Sequence, residues 1–118
     1  MSILTKTGVG VTFSVEGFHN FPVAEQMFGQ EVKFLEERHR HIFQFDCKKR
    51  VFHDDRDVEF ILLKREIQQY VWDTWGFPAE FGAMSCEMIS KNLLGTFGLY
   101  YCKVSEDGEN YAEVEIEE

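Results

Sequence analysis

The sequence predicts an α+β domain: an antiparallel four-stranded sheet with two helices on one face. Three observations carry that expectation. Apolar and polar residues alternate near both ends of the chain and again around residue 45, the period of half-buried strands. Two central stretches repeat apolar residues at helical spacing. The length, 118 residues, is that of one compact domain, and no repeat, linker or low-complexity break divides it, so 1–118 is read as a single unit.

Val9, Val11, Phe13 and Val15 share one face of the first strand, with Gly, Thr and Ser between them. Phe18–Gln30, holding Asn20, Pro22 and Gly29, reads as a loop with room for a short helical turn. The second strand is His39–Val51. Its odd positions His39, His41, Phe43, Phe45 and Cys47 face one way, and Arg40, Gln44, Asp46 and Lys48 the other. His53–Arg56 is polar and turn-like. Asp57 is placed as the cap of a helix running to about Asp73, with a stripe of Phe60, Leu63, Ile67, Tyr70 and Val71. Gly76-Phe77-Pro78 ends it. Ser85 caps a second helix carrying Met88, Ile89, Leu93 and Phe97, closed by Gly98. Tyr100, Cys102 and Val104 alternate toward Glu106, Asp107-Gly108 signals a hairpin, and Ala112, Val114 and Ile116 alternate on the return strand.

Composition excludes several classes. With 44% hydrophobic and 15% aromatic residues the chain is not disordered, and 2 Pro and 9 Gly exclude collagen-like sequence. No apolar run approaches the roughly 18 residues that cross a bilayer, and the N-terminus lacks a signal-peptide pattern, so a cytoplasmic protein without a membrane partner is expected. Twelve basic against 21 acidic residues give a net charge of −9, which disfavours nucleic acid as a partner. Three cysteines without CxxC spacing read as reduced thiols.

All four histidines lie between positions 19 and 53. His39 and His41, two apart on a strand, project from one face and can reach one ion; zinc takes imidazole nitrogens at about 2.0–2.1 Å and commonly keeps three protein ligands in catalytic sites. His19, at the end of the first strand, supplies a third ligand if the two strands pair. Spacing alone leaves a second reading open, that these are ordinary half-buried strand residues. Glu36, three residues before His39, is either a proton-moving carboxylate or part of a solvated charged loop. Glu106 is either an acceptor for the paired N–H donors of a guanidine-like ring edge or a surface acid flanking a hairpin.

Taken together, Phe18-His19, His39-Arg40-His41, Glu59-Phe60, Ser85-Cys86-Glu87 and Val104-Ser105-Glu106 resemble, in order and separation, the motifs of the 6-pyruvoyltetrahydropterin and 6-carboxytetrahydropterin synthase family. The resemblance runs from Phe13 to Val114. It implies the tunnelling fold, in which subunits join their sheets into a barrel, here a homohexamer built as a dimer of trimers. It implies Zn²⁺ on His19, His39 and His41, a pterin ring held by Glu106, and substrate contacts from Ser85 and Glu87. The chain departs from the family in three places. Leu35 stands where the queuosine-pathway members carry a catalytic Cys, the Asp-His pair after the first helix is missing, and Arg40 replaces the Gly of His-Gly-His. One branch carries Glu-x-x-His-Gly-His instead of the Cys, and Glu36 matches that spacing.

The implied activity is zinc-dependent chemistry on 7,8-dihydroneopterin triphosphate, with cleavage to 6-hydroxymethyl-7,8-dihydropterin favoured by Glu36 as the catalytic residue. The alternatives are 6-carboxytetrahydropterin formation for 7-deazaguanine synthesis and a non-catalytic pterin- or purine-binding protein. A plain α+β interaction domain without metal is the third.

Overall fold

In the computed structural model, which describes residues 3–118, strands β1 (Thr7–His19) and β2 (His39–Val51) pair antiparallel along their whole length. The register runs from Thr7 opposite Val51 to His19 opposite His39. Because strand side chains alternate, this register fixes which residues share a face. Val11, Phe13 and Val15 of β1 and Phe43, Phe45 and Cys47 of β2 all turn to the buried side. Phe13 lies against its cross-strand partner Phe45 with ring centroids 4.8 Å apart and planes nearly parallel.

Between β1 and β2 the chain makes a five-residue helix α1 (Ala24–Phe28) and then a 3-10 helix (Gln30–Glu36), where the sequence suggested a loop with at most a helical turn. Helices α2 (Phe60–Trp75) and α3 (Cys86–Phe97) cover the buried side of the sheet. Leu63, Ile67 and Val71 from α2 and Ile89 and Leu93 from α3 insert into the core. Ser85 caps α3 as expected, its Oγ accepting from Met88 N at 3.2 Å, and Gly98 ends the helix in the left-handed conformation (φ 61°). Strands β4 (Tyr101–Glu106) and β5 (Asn110–Glu115) form the expected hairpin, and β4 pairs antiparallel with β2. All three cysteines are buried free thiols.

The α+β class holds, with helices on one face, but the sheet has five strands in the order β3-β1-β2-β4-β5. The added strand β3 (Ala79–Gly82) pairs parallel with the end of β1, so the sheet is mixed. Two apolar positions, Ala79 and Phe81, are too few to show a period in sequence, although both are buried. Asp57 does not cap α2. Its carboxylate accepts from Phe52 N at 2.8 Å inside the preceding turn, while Glu59 caps the helix by accepting from Ile61 N at 3.1 Å. Phe60 and Met88 belong to the solvent side of their helices, and Ile116 lies beyond β5 and is exposed.

Gly17, opposite His41, is a packing requirement. A Cβ there would lie 2.9 Å from the Phe81 ring and 3.0 Å from the Phe43 ring, both buried. Gly17→Ala is therefore expected to destabilise the fold by about 1–3 kcal/mol, the usual range for forcing an extra carbon into a filled core. Denaturant unfolding measures it; an unchanged midpoint would mean that the two rings move aside freely.

Candidate metal centre

The β1–β2 register that forms the core also assembles the site at one end of the sheet. His19 and His39 are a direct cross-strand pair, and His41 is two residues along β2 on the same face. Ring centroids are 4.6 Å apart for His19–His39, 4.9 Å for His39–His41 and 5.5 Å for His19–His41. Phe43 closes the core side, edge-on to His19 at 5.1 Å and His41 at 5.7 Å. Glu106, opposite Phe43 at the end of β4, reaches into the same space. One donor atom from each of His19, His39, His41 and Glu106 lies within 4.8 Å of all the others.

The outer nitrogen of each imidazole is already engaged. His19 Nδ1 meets Met84 O at 3.0 Å, His39 Nδ1 meets Glu37 O at 2.8 Å, and His41 Nδ1 meets Asp107 Oδ2 at 2.6 Å. Carbonyl oxygens only accept, as does an ionised carboxylate, so each Nδ1 donates a proton to its partner. In a neutral ring that leaves Nε2 as a lone pair, which is how outer partners orient metal-binding histidines. Glu106 Oε2 lies 2.7 Å from His41 Nε2 and 3.1 Å from His19 Nε2. His41 Nε2 is buried and makes no hydrogen bond of acceptable geometry despite that distance. Lone pairs facing a carboxylate at such range require a cation between them, either a proton or a metal. Three imidazole nitrogens and one carboxylate oxygen suit Zn²⁺.

The protonation of the metal-free site follows the same electrostatics. Burial opposes charging of His19, but the Glu106 hydrogen bond, the Met84 carbonyl and the Glu106 charge together raise its pKa. The hydrogen bond from His19 and the charges of the three histidines hold the Glu106 carboxyl below its ordinary value, against the effect of burial. Backbone donation from Ile42 N, then the contact with His41, lowers that of Asp107. Burial first, and the neighbouring Glu106 and Glu87 charges next, push the Cys86 thiol up to about 12, so it stays protonated beside the Glu106 carboxylate.

The structure thus brings together four of the residues singled out in the sequence, His19, His39, His41 and Glu106, and leaves three outside the cluster. Glu36 ends the 3-10 helix, and its carboxylate accepts from Glu25 N at 3.1 Å. Its carbonyl accepts from Asn20 Nδ2, which ties it to the neighbour of His19. Ser85 spends its hydroxyl on the α3 cap, and Glu87 is exposed in the first turn of α3. The Glu106 carboxylate, read in the sequence as an acceptor for a ring edge, faces the imidazole nitrogens of His41 and His19. Sequence reasoning missed Asp107, Cys86 and the Met84 carbonyl. Strict alternation sends Asp107 to the face opposite Glu106, but a left-handed backbone (φ 56°) in the turn redirects it to His41. A depression of about 480 Å³ lined by Thr12, Ser14, Gln44, Asp46, Lys103 and Ser105 lies on the other face of the sheet, away from the imidazoles.

No family model matches the chain, and no curated protein matches it. Among solved structures it is similar to Caenorhabditis elegans 6-pyruvoyl tetrahydropterin synthase, with a TM-score of 0.71 and 15% sequence identity, over 99% of this chain and 100% of that one. The likeness shows that the chain has the tunnelling fold of that enzyme. No helix among the described residues is long and apolar enough to cross a membrane.

Proposed function

We propose that the protein is a zinc-dependent pterin enzyme acting on 7,8-dihydroneopterin triphosphate, cleaving the side chain to give 6-hydroxymethyl-7,8-dihydropterin. One observation carries this reading: three imidazoles on a tunnelling-fold sheet have every Nδ1 tied to an acceptor, and each of them and Glu106 brings one donor atom within 4.8 Å of all the others. His19, His39 and His41 would hold the ion. Zn²⁺ bound there would supply Lewis-acid polarisation of the side-chain oxygens of the substrate.

The remaining chemistry belongs to the chain. Cleaving the carbon–carbon bond needs a base to take the hydroxyl proton from the carbon that leaves as an aldehyde. It also needs an acid to protonate the carbon left on the ring. Glu36 is assigned that proton transfer, and Glu106 the two adjacent N–H donors of the pterin edge. Ser85 and Glu87 are assigned to the rim around the ring, since their neighbours Met84 and Cys86 adjoin His19 and Glu106. Open strands at both sheet edges, β3 and β5, support a homohexamer that pairs them, because exposed edges are normally covered or joined. A monomer at micromolar concentration in light scattering would contradict that assembly. A cytoplasmic location is part of the same proposal.

Two variants divide the roles. Glu106→Ala is expected to weaken dihydropterin binding at least about tenfold, since a charge-assisted hydrogen bond contributes roughly 1.5–3 kcal/mol. Glu36→Gln can still accept from Glu25 N but cannot exchange a proton, so it should spare affinity and lower turnover by about 10²–10⁴. Calorimetry beside a turnover assay reads both; unchanged affinity in the first removes the ring assignment, and unchanged turnover in the second removes the catalytic one. The contact between Glu36 and Glu25 N outside the cluster favours a second reading, a non-catalytic protein that binds a pterin or purine. Metal-loaded protein that binds dihydroneopterin without turning over its triphosphate would establish it. A 6-carboxytetrahydropterin synthase is less well supported, with Leu35 in place of the Cys.

A further inference from the structure

We propose that Glu106 is a detachable fourth metal ligand, which closes the metal shell in the resting protein and leaves when an oxygen-donor substrate binds. Its Oε2 is 2.7 Å from His41 Nε2 and 3.1 Å from His19 Nε2, and it belongs to the set of four donor atoms within 4.8 Å of each other. A metal with four protein ligands is coordinatively closed, the arrangement of structural zinc, whereas catalysis needs an open position. A site built this way turns over only if one ligand lets go.

The supports show which one. The imidazoles are anchored at their second nitrogens, two by backbone carbonyls and one by Asp107. Asp107 is itself held, accepting from Ile42 N at 2.8 Å while its own N–H donates to Ile42 O at 2.8 Å. These rings sit on two strands paired along their entire length. Glu106 has no comparable anchor. It is the last residue of β4, just before a left-handed turn residue, and among the described residues its carboxylate pairs with the imidazoles of His19 and His41 and the Cys86 thiol. Three rotatable bonds let that carboxylate swing while the backbone stays in register. Departure of Glu106 would free both a coordination position and an anionic acceptor, so a substrate offering oxygen donors at one end and paired N–H donors at the other takes both at once.

Ligation by Glu106 is independent of substrate identity; its capture by a ring edge rests on the pterin reading above. The test uses the full chain loaded with Co²⁺, whose visible spectrum reports its ligands, as wild type and Glu106→Ala, with Glu106→Gln as a second variant that keeps side-chain volume. Without added ligand, the variants are expected to bind Co²⁺ at least about tenfold more weakly and to show a different spectrum. Saturating acetohydroxamate, an oxygen chelator with no pterin ring, should bring wild type and variants to the same spectrum, because Glu106 has left in both. Identical spectra and affinities before any addition would overturn ligation, and spectra that still differ under saturating acetohydroxamate would overturn release. Dihydroneopterin should shift the wild-type spectrum in the same way. If acetohydroxamate does so and dihydroneopterin does not, the detachable ligand stands and the pterin reading falls.

Discussion

His39→Ala is expected to abolish stoichiometric zinc binding, while the unaltered chain retains one Zn²⁺ after removal of loosely bound metal. His39 stands directly opposite His19 in the β1–β2 register, and its ring is turned inward by donation from Nδ1 to Glu37 O at 2.8 Å. Removing it leaves two imidazoles and a carboxylate. Zinc bound there would also stabilise the fold, because a ligand bound only by the native state shifts the unfolding equilibrium: free zinc at a thousandfold excess over Kd would add about 4 kcal/mol. For a domain of this length that is on the order of 15 °C in Tm. The variant should show no zinc-dependent rise. His53→Ala is the control, since His53 lies in the turn after β2, at the far end of that strand from His41, and its ring meets Asp57 Oδ1 and Asp55 N there. Elemental analysis and thermal unfolding with and without zinc check both. Full zinc retention in His39→Ala would sink the centre.

How far the site was legible follows from what each residue needed. The shared face of His39 and His41 is a consequence of strand period alone, so it could be read without knowing any partner. Placing His19 required one long-range fact, the full-length β1–β2 register, which alternation makes plausible but does not fix. Glu106 was legible as a functional carboxylate but not as a neighbour of imidazole nitrogens, because that depends on β4 pairing with β2 in the register that sets Glu106 opposite Phe43. Asp107 was hidden by a local exception, a left-handed residue that breaks alternation. β3 was hidden by brevity, since its four residues follow β1 in parallel only once α2 has carried the chain back across the sheet. The Asp57 misplacement is similar in kind: two acids two residues apart both suit a helix start, and the turn claimed the first.

Phe43→Ala is expected to cost about 3–5 kcal/mol of stability, the range for deleting a fully buried aromatic ring, and to damage the metal site as well. The ring occupies the boundary between core and centre. It meets Phe81 at 4.9 Å on the core side, and it presents its face or edge to His19 at 5.1 Å and His41 at 5.7 Å on the other. Deleting it opens a void beneath two of the three imidazoles, and rings no longer held from below can rotate away from their common point. Phe45→Ala separates the two effects. Phe45 is equally buried and stacks on Phe13, but it lies one further step along the same face of β2, beyond the ring that touches the histidines. Both variants should unfold at similarly reduced denaturant concentrations, while only Phe43→Ala should lower zinc affinity under conditions where each is still folded. Equal zinc affinity in the two variants would mean that the Nδ1 contacts alone hold the imidazoles, and that the aromatic floor serves the core without serving the centre.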